Sequence, residues 1–141
     1  FYGTTQAPGE GTIACGYFVS TTLEHAGLKV ERVKLAQQAS AVIVETFGPK
    51  TTTWGESPEA VLARLDEGIH VVGLDYHVAF LDRRGDEVWM CHSSVLEPSG
   101  AVCERAEHAL ALQSNVHVTG PLLTDRVVLA WLEGEALPTG G

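Results

Sequence analysis

Between Gly68 and Ser94 three short runs, IHVVGL, YHVAFLD and EVWMCHSS, follow one another with turn residues between them. They are rich in β-branched and aromatic residues and too short for helices, so they read as consecutive strands. Parallel neighbours need a crossover of a dozen or more residues, so connections this short impose an antiparallel meander. The chain must build the rest of its fold around that sheet.

Upstream of the meander the period is helical. FYGTTQAPGEGTIA is an irregular, glycine-rich lead-in, and Phe18, Val19, Leu23 and Ala26 then follow the spacing of a first helix, with Gly27 as its stop. A second helix is expected over about Val33 to Thr46, with Leu35, Ala39, Val42 and Ile43 facing the core and Gly48-Pro49 ending it. KTTTWGE reads as a loop. Ser57-Pro58-Glu59 then supplies an N-cap, an N1 proline and an acidic first turn for a third helix closed by Gly68. Beyond the meander, Glu104 to Gln113 reads as helical, NVHVTG as a strand, and TDRVVLAWLEG as either a capped terminal helix or a strand. Residues 1–141 therefore predict a single α+β domain, with N-terminal helices packed on a mostly antiparallel sheet.

Composition narrows the function. The 141 residues are 45% hydrophobic and 19% charged, which is globular, and the net charge of -9 argues against a nucleic-acid or anionic-membrane footprint. No apolar run approaches the roughly 18 residues of a membrane span, and no signal-peptide pattern is present. The chain starts at Phe1 and not Met, so an upstream segment could precede it and the compartment stays open, an extracytoplasmic one included; the oligomeric state is equally open. Cys15, Cys91 and Cys103 form no CxxC pair, and an odd number leaves at least one thiol outside any internal pairing.

Cys15 stands at the start of the first helix, among unpaired backbone N–H groups and near the positive end of the helix dipole, where a thiolate is favoured. The alternative is a small buried hydrophobe. A nucleophile needs a base. His25, His108 and His117 read as structural or surface residues and His70 as lining the sheet, which leaves His77 and His92 on adjacent strands. A hairpin turning at Arg84-Gly85 puts His77 directly opposite His92, with Ala79, Leu81, Val88 and Met90 on their face and Val78, Phe80, Trp89 and Cys91 on the other. A three-residue loop ending at Gly85 would instead place Cys91 opposite His77. Two facing imidazoles can serve as a base and its orienter, completing a Cys15-His77-His92 triad. The same side chains could form an open Cys-His-His zinc site, but there is no HExxH and no short-spaced ligand pair, so no metal or other cofactor is expected.

The order of these residues resembles the NlpC-type cysteine peptidases, a papain-like family that cleaves peptide bonds in bacterial cell-wall stems. A tyrosine near the N-terminus (Tyr2 in YGTT), a cysteine opening a helix (Cys15 in ACGYFVSTTLEHAGL), a histidine opening a strand (His77 in YHVAFL) and a third polar residue on the next strand (His92 in CHSS) follow the family's order over roughly residues 1 to 95. The resemblance implies a papain-like fold, Cys15 as nucleophile, His77 as general base and acid, His92 as its orienter, and Tyr2 and Gly16 at the substrate. The family's Asp-Cys-Ser is here Ala14-Cys15-Gly16, which removes two polar side chains beside the nucleophile and implies a substrate different from the usual stem peptide.

The expected function is amide cleavage through a thioester, on a peptide or muropeptide-like substrate. The rival expectations are a non-catalytic binding module on the same fold and another cysteine-dependent acyl-transfer enzyme, such as a deamidase or transferase.

Overall fold

The computed structural model describes residues 14–94 and 100–140. Tyr2 and nearly all of the glycine-rich lead-in fall outside the described residues. In chain order the elements are α1 (Cys15–His25), β1 (Lys29–Val30), α2 (Arg32–Ala36), α3 (Ser40–Phe47), β2 (Thr51–Trp54), α4 (Pro58–Ala63), β3 (Gly68–Gly73), β4 (Val78–Arg84), β5 (Glu87–Ser94), β6 (Gly100–Arg105), β7 (Val116–Pro121), α5 (Asp125–Glu133) and β8 (Ala136–Leu137). The main sheet is antiparallel throughout, in the order β2-β7-β3-β4-β5-β6, and β1 and β8 form a separate parallel pair. The chain is an α+β protein.

The sheet is buried on both faces. On one side Val71, Phe80 and Val118 meet Val19 and Leu23 of α1, Ile43, Val44 and Phe47 of α3, and Val127 of α5. On the other, Val72, Ala79, Leu81 and Met90 meet Leu62 of α4 and Ala106, Ala109 and Leu112 beyond β6. The first helix ends as its sequence implies, with Gly27 in a left-handed conformation (φ 97°) just beyond it. The undecided segment after residue 123 is a helix: Thr124 Oγ1 accepts from Val127 N–H, and Gly134 (φ 68°) closes the other end.

Four expectations are corrected. The single helix over 33–46 is two, because α2 lies against α1 while α3 lies against β3 and β7, and one straight rod cannot meet both. The chain breaks at extended Ala39, and Ser40 Oγ donates to the Leu74 carbonyl. KTTTWGE contains an edge strand, since Thr51 to Trp54 pair with Thr119 to Val116, far from any local hairpin signal. The third helix starts as expected, with Ala60 N–H bonded to Ser57 Oγ, but it ends at Ala63, and Gly68 opens β3.

The fourth concerns 104–113. Glu104 and Arg105 finish β6, and the rest forms two single 3₁₀ turns, Ala106–His108 and Leu110–Leu112. Ala106, Ala109 and Leu112 recur every third residue and are all buried, which suits the three-residue turn better than the α-helix.

β5 and β6 are also joined covalently. Cys91 and Cys103 lie directly opposite in the ladder and form a disulfide, leaving Cys15 as the free thiol.

Candidate active site

The hairpin turn sets the site. Gly85 takes φ 62° at the first central position of a two-residue Gly85-Asp86 turn, a place that favours glycine, so Arg84 pairs with Glu87 and Phe80 with Cys91. This is two residues from the expected register. His77 is therefore not directly opposite His92. A shift of two preserves the face of every side chain, however, and the two rings still meet diagonally: His77 Nε2 lies 2.6 Å from His92 Nδ1, with the rings edge-on at 77°.

His92 is fully buried, and its other nitrogen, Nε2, lies 2.7 Å from Glu104 Oε2. Glu104 faces Met90 across the β5–β6 ladder, so it too reaches His92 on the diagonal, from the opposite side. A chain of polar groups thus runs obliquely over three strands, His77 to His92 to Glu104. Glu104 was missed in the sequence because its segment read as helical. The usable signal was the strand-like alternation of Val102, Cys103 and Glu104, which places Glu104 on the face of His92 once Cys103 pairs with Cys91.

The chain of hydrogen bonds assigns the tautomers. A carboxylate only accepts, so His92 Nε2–H donates to Glu104 and His92 Nδ1 keeps its lone pair. His77 Nε2–H then donates to that lone pair, leaving His77 Nδ1 as the basic nitrogen. His77 is held far towards its neutral form, with a pKa lowered to about 4, chiefly because burial penalises the imidazolium.

His77 sits at a fixed hairpin tip. Leu74 N–H donates to the His77 carbonyl at 2.8 Å, making Asp75-Tyr76 the two-residue tip between β3 and β4. Ser40 Oγ bonds the Leu74 carbonyl at 2.8 Å from one side, and Asp75 N–H donates to Ser114 Oγ at 3.3 Å from the other.

Cys15 is the first residue of α1, and the preceding Ala14 provides no side-chain cap. Cys15 and Gly16 line one wall of a cleft of about 230 Å³, and His77 and Val78 line another. No hydrogen bond links the thiol to a described residue. A larger cleft of about 450 Å³, bordered by Leu74, Leu110, Ser114 and Ser94, lies across the tip, and Asp75, Tyr76 and His77 line both.

Gly16 has a packing reason to be glycine: a Cβ there would run into the Ala36 carbonyl of α2. A side chain next to Cys15 is thus excluded by the close approach of two helices.

No family model, curated protein or solved structure matches the chain. The remaining histidines stand apart from the site. His70 is bonded to the Asp66 carbonyl and buried His117 to that of Leu112, while His25 ends α1 and His108 is exposed. Among the described residues no group of three His, Cys, Asp or Glu side chains is arranged to hold a metal ion, and no helix is long and apolar enough to cross a membrane.

Proposed function

We propose that the chain is a cysteine hydrolase of papain-like, NlpC-type construction that cleaves an amide bond through a thioester, with a peptide or isopeptide of cell-wall material as substrate. The observation that carries this reading is the His77-His92-Glu104 chain, whose base shares a cleft with a free thiol at a helix start. Catalytic hydrogen bonds are often long before substrate binds, so a thiol without a hydrogen bond to a described residue is compatible with this role.

In the proposed reaction His77 Nδ1 takes the Cys15 proton as Sγ attacks the carbonyl carbon. The resulting imidazolium keeps its Nε2–H bond to His92, and the Glu104 carboxylate opposes its charge through the intervening ring. The oxyanion is received by the Cys15 backbone N–H and the open end of α1, with Tyr2 and Gly16 assigned to the substrate side. The C–N bond then breaks, and His77 returns the proton to the leaving amine. Water, deprotonated by His77, next attacks the thioester, and the thiolate recovers a proton.

The test is mass-spectrometric analysis of muropeptides incubated with wild type and variants. Cys15→Ala abolishes cleavage, His77→Ala lowers it by about 10²–10⁴-fold, and His92→Ala lowers it less. Full cleavage by Cys15→Ala would overturn the assignment. A second reading, a binding cleft without chemistry, draws on the missing Cys15–His77 hydrogen bond. It predicts muropeptide binding without turnover by every form.

A further inference from the structure

Among the described residues, the charged side chains on the two clefts that meet at the Asp75-Tyr76 tip are of one sign. Asp75 is the only Asp, Glu, Lys or Arg among the described residues that line either cleft. All nine Lys and Arg lie within the described residues, and the segments 1–13, 95–99 and 141 contain none. Arg32, Lys34, Lys50, Arg64, Arg84 and Arg105 pair with carboxylates elsewhere. Arg83 donates to the Leu62 and Gly85 carbonyls, and Lys29 and Arg126 belong to β1 and α5.

A substrate carboxylate on the tip side of the scissile bond would therefore meet no Lys or Arg of the described lining and would face Asp75. An ammonium would meet the opposite situation: a carboxylate at the tip, and next to it the ring of Tyr76, which is 97% exposed and can take a cation on its face. On the Cys15 side the cleft is walled by Gly16, Ala36, Gln38, Ala39, Ser40 and Ile43, all uncharged.

From this we infer that the site takes an acyl substrate with no free carboxylate flanking the scissile amide, and that it seats an amine-bearing group against Asp75 and Tyr76. Amidated or amine-bearing peptides fit this description, and stem peptides with free flanking carboxylates do not. The inference rests on Cys15 being the nucleophile of an accessible cleft.

Charge-matched thiol reagents test it. The intact protein is treated with cationic (2-trimethylammonioethyl), neutral (methyl) and anionic (2-sulfonatoethyl) methanethiosulfonates at low ionic strength. Modification of Cys15 is followed by mass, and each rate is divided by that of the same reagent with 2-mercaptoethanol. The cationic reagent should be favoured over the anionic one by about 10-fold, and Asp75→Asn should shrink that ratio several-fold. Equal normalised rates, or a ratio unchanged in Asp75→Asn, would overturn the inference while leaving Cys15 as an accessible nucleophile. Failure of even the neutral reagent to modify Cys15 would overturn the underlying reading and the inference with it.

Discussion

A proton taken up by His77 places a positive charge on a ring whose surroundings penalise it, and Glu104 is the negative group that reaches that ring, through His92. Glu104→Gln tests this contribution, because the amide oxygen can still accept from His92 Nε2–H while the charge is lost. The expected result is a fall of about 10-fold in kcat with little change in KM, the difference between a charge-assisted and a neutral hydrogen bond. Steady-state kinetics on any substrate the protein cleaves would show it. His77 also makes stability depend on pH. The folded protein binds the His77 proton only near pH 4, whereas the unfolded chain binds it near 6.5, so the unfolded state holds more protons between those values. Stability therefore falls as the pH is lowered through this window, by up to about 3 kcal/mol before allowance for solvent screening. Urea midpoints compared at pH 7 and pH 4.5 should shift less in His77→Asn than in wild type.

At the scale of elements, the close packing of α1 on α2 is coupled to the identity of residue 16. Gly16→Ser drives a Cβ into the Ala36 carbonyl, with an expected loss of about 1–3 kcal/mol measured by urea or thermal denaturation. Unchanged stability would show that α2 can yield. The same elements explain what the sequence could reveal. The meander and α1 were legible because their periodicity and turn glycines act locally. The faces of the His77–His92 hairpin were legible despite a wrong register, since a two-residue shift keeps each side chain on its face. The break at Ala39, the edge strand at Thr51–Trp54 and the strand carrying Glu104 were not, because each is decided by a partner distant in sequence. Glu104 was lost to the site along with its strand, and Tyr2 lies outside the described residues.

Across the whole molecule, the sheet acts as the frame on which the groups of the candidate site are assembled. One face carries α1 and its thiol, and the other buries the ring of His92. His77 stands at the hairpin tip beside both clefts, held by Ser40 from one side and Ser114 from the other. The Cys91–Cys103 bond ties together the strands that carry His92 and Glu104, and it leaves a single thiol to react. The central claim, that His77 serves this thiol as its base, is tested most directly by acetylation with p-nitrophenyl acetate, with Cys15 followed by mass and peptide mapping. Wild type should form an acetyl thioester on Cys15 and release it to water, and His77→Ala should form it slower by about 10²-fold or more. Acetylation of Cys15 at the same rate in both proteins, or acetylation only at other residues, would contradict the account.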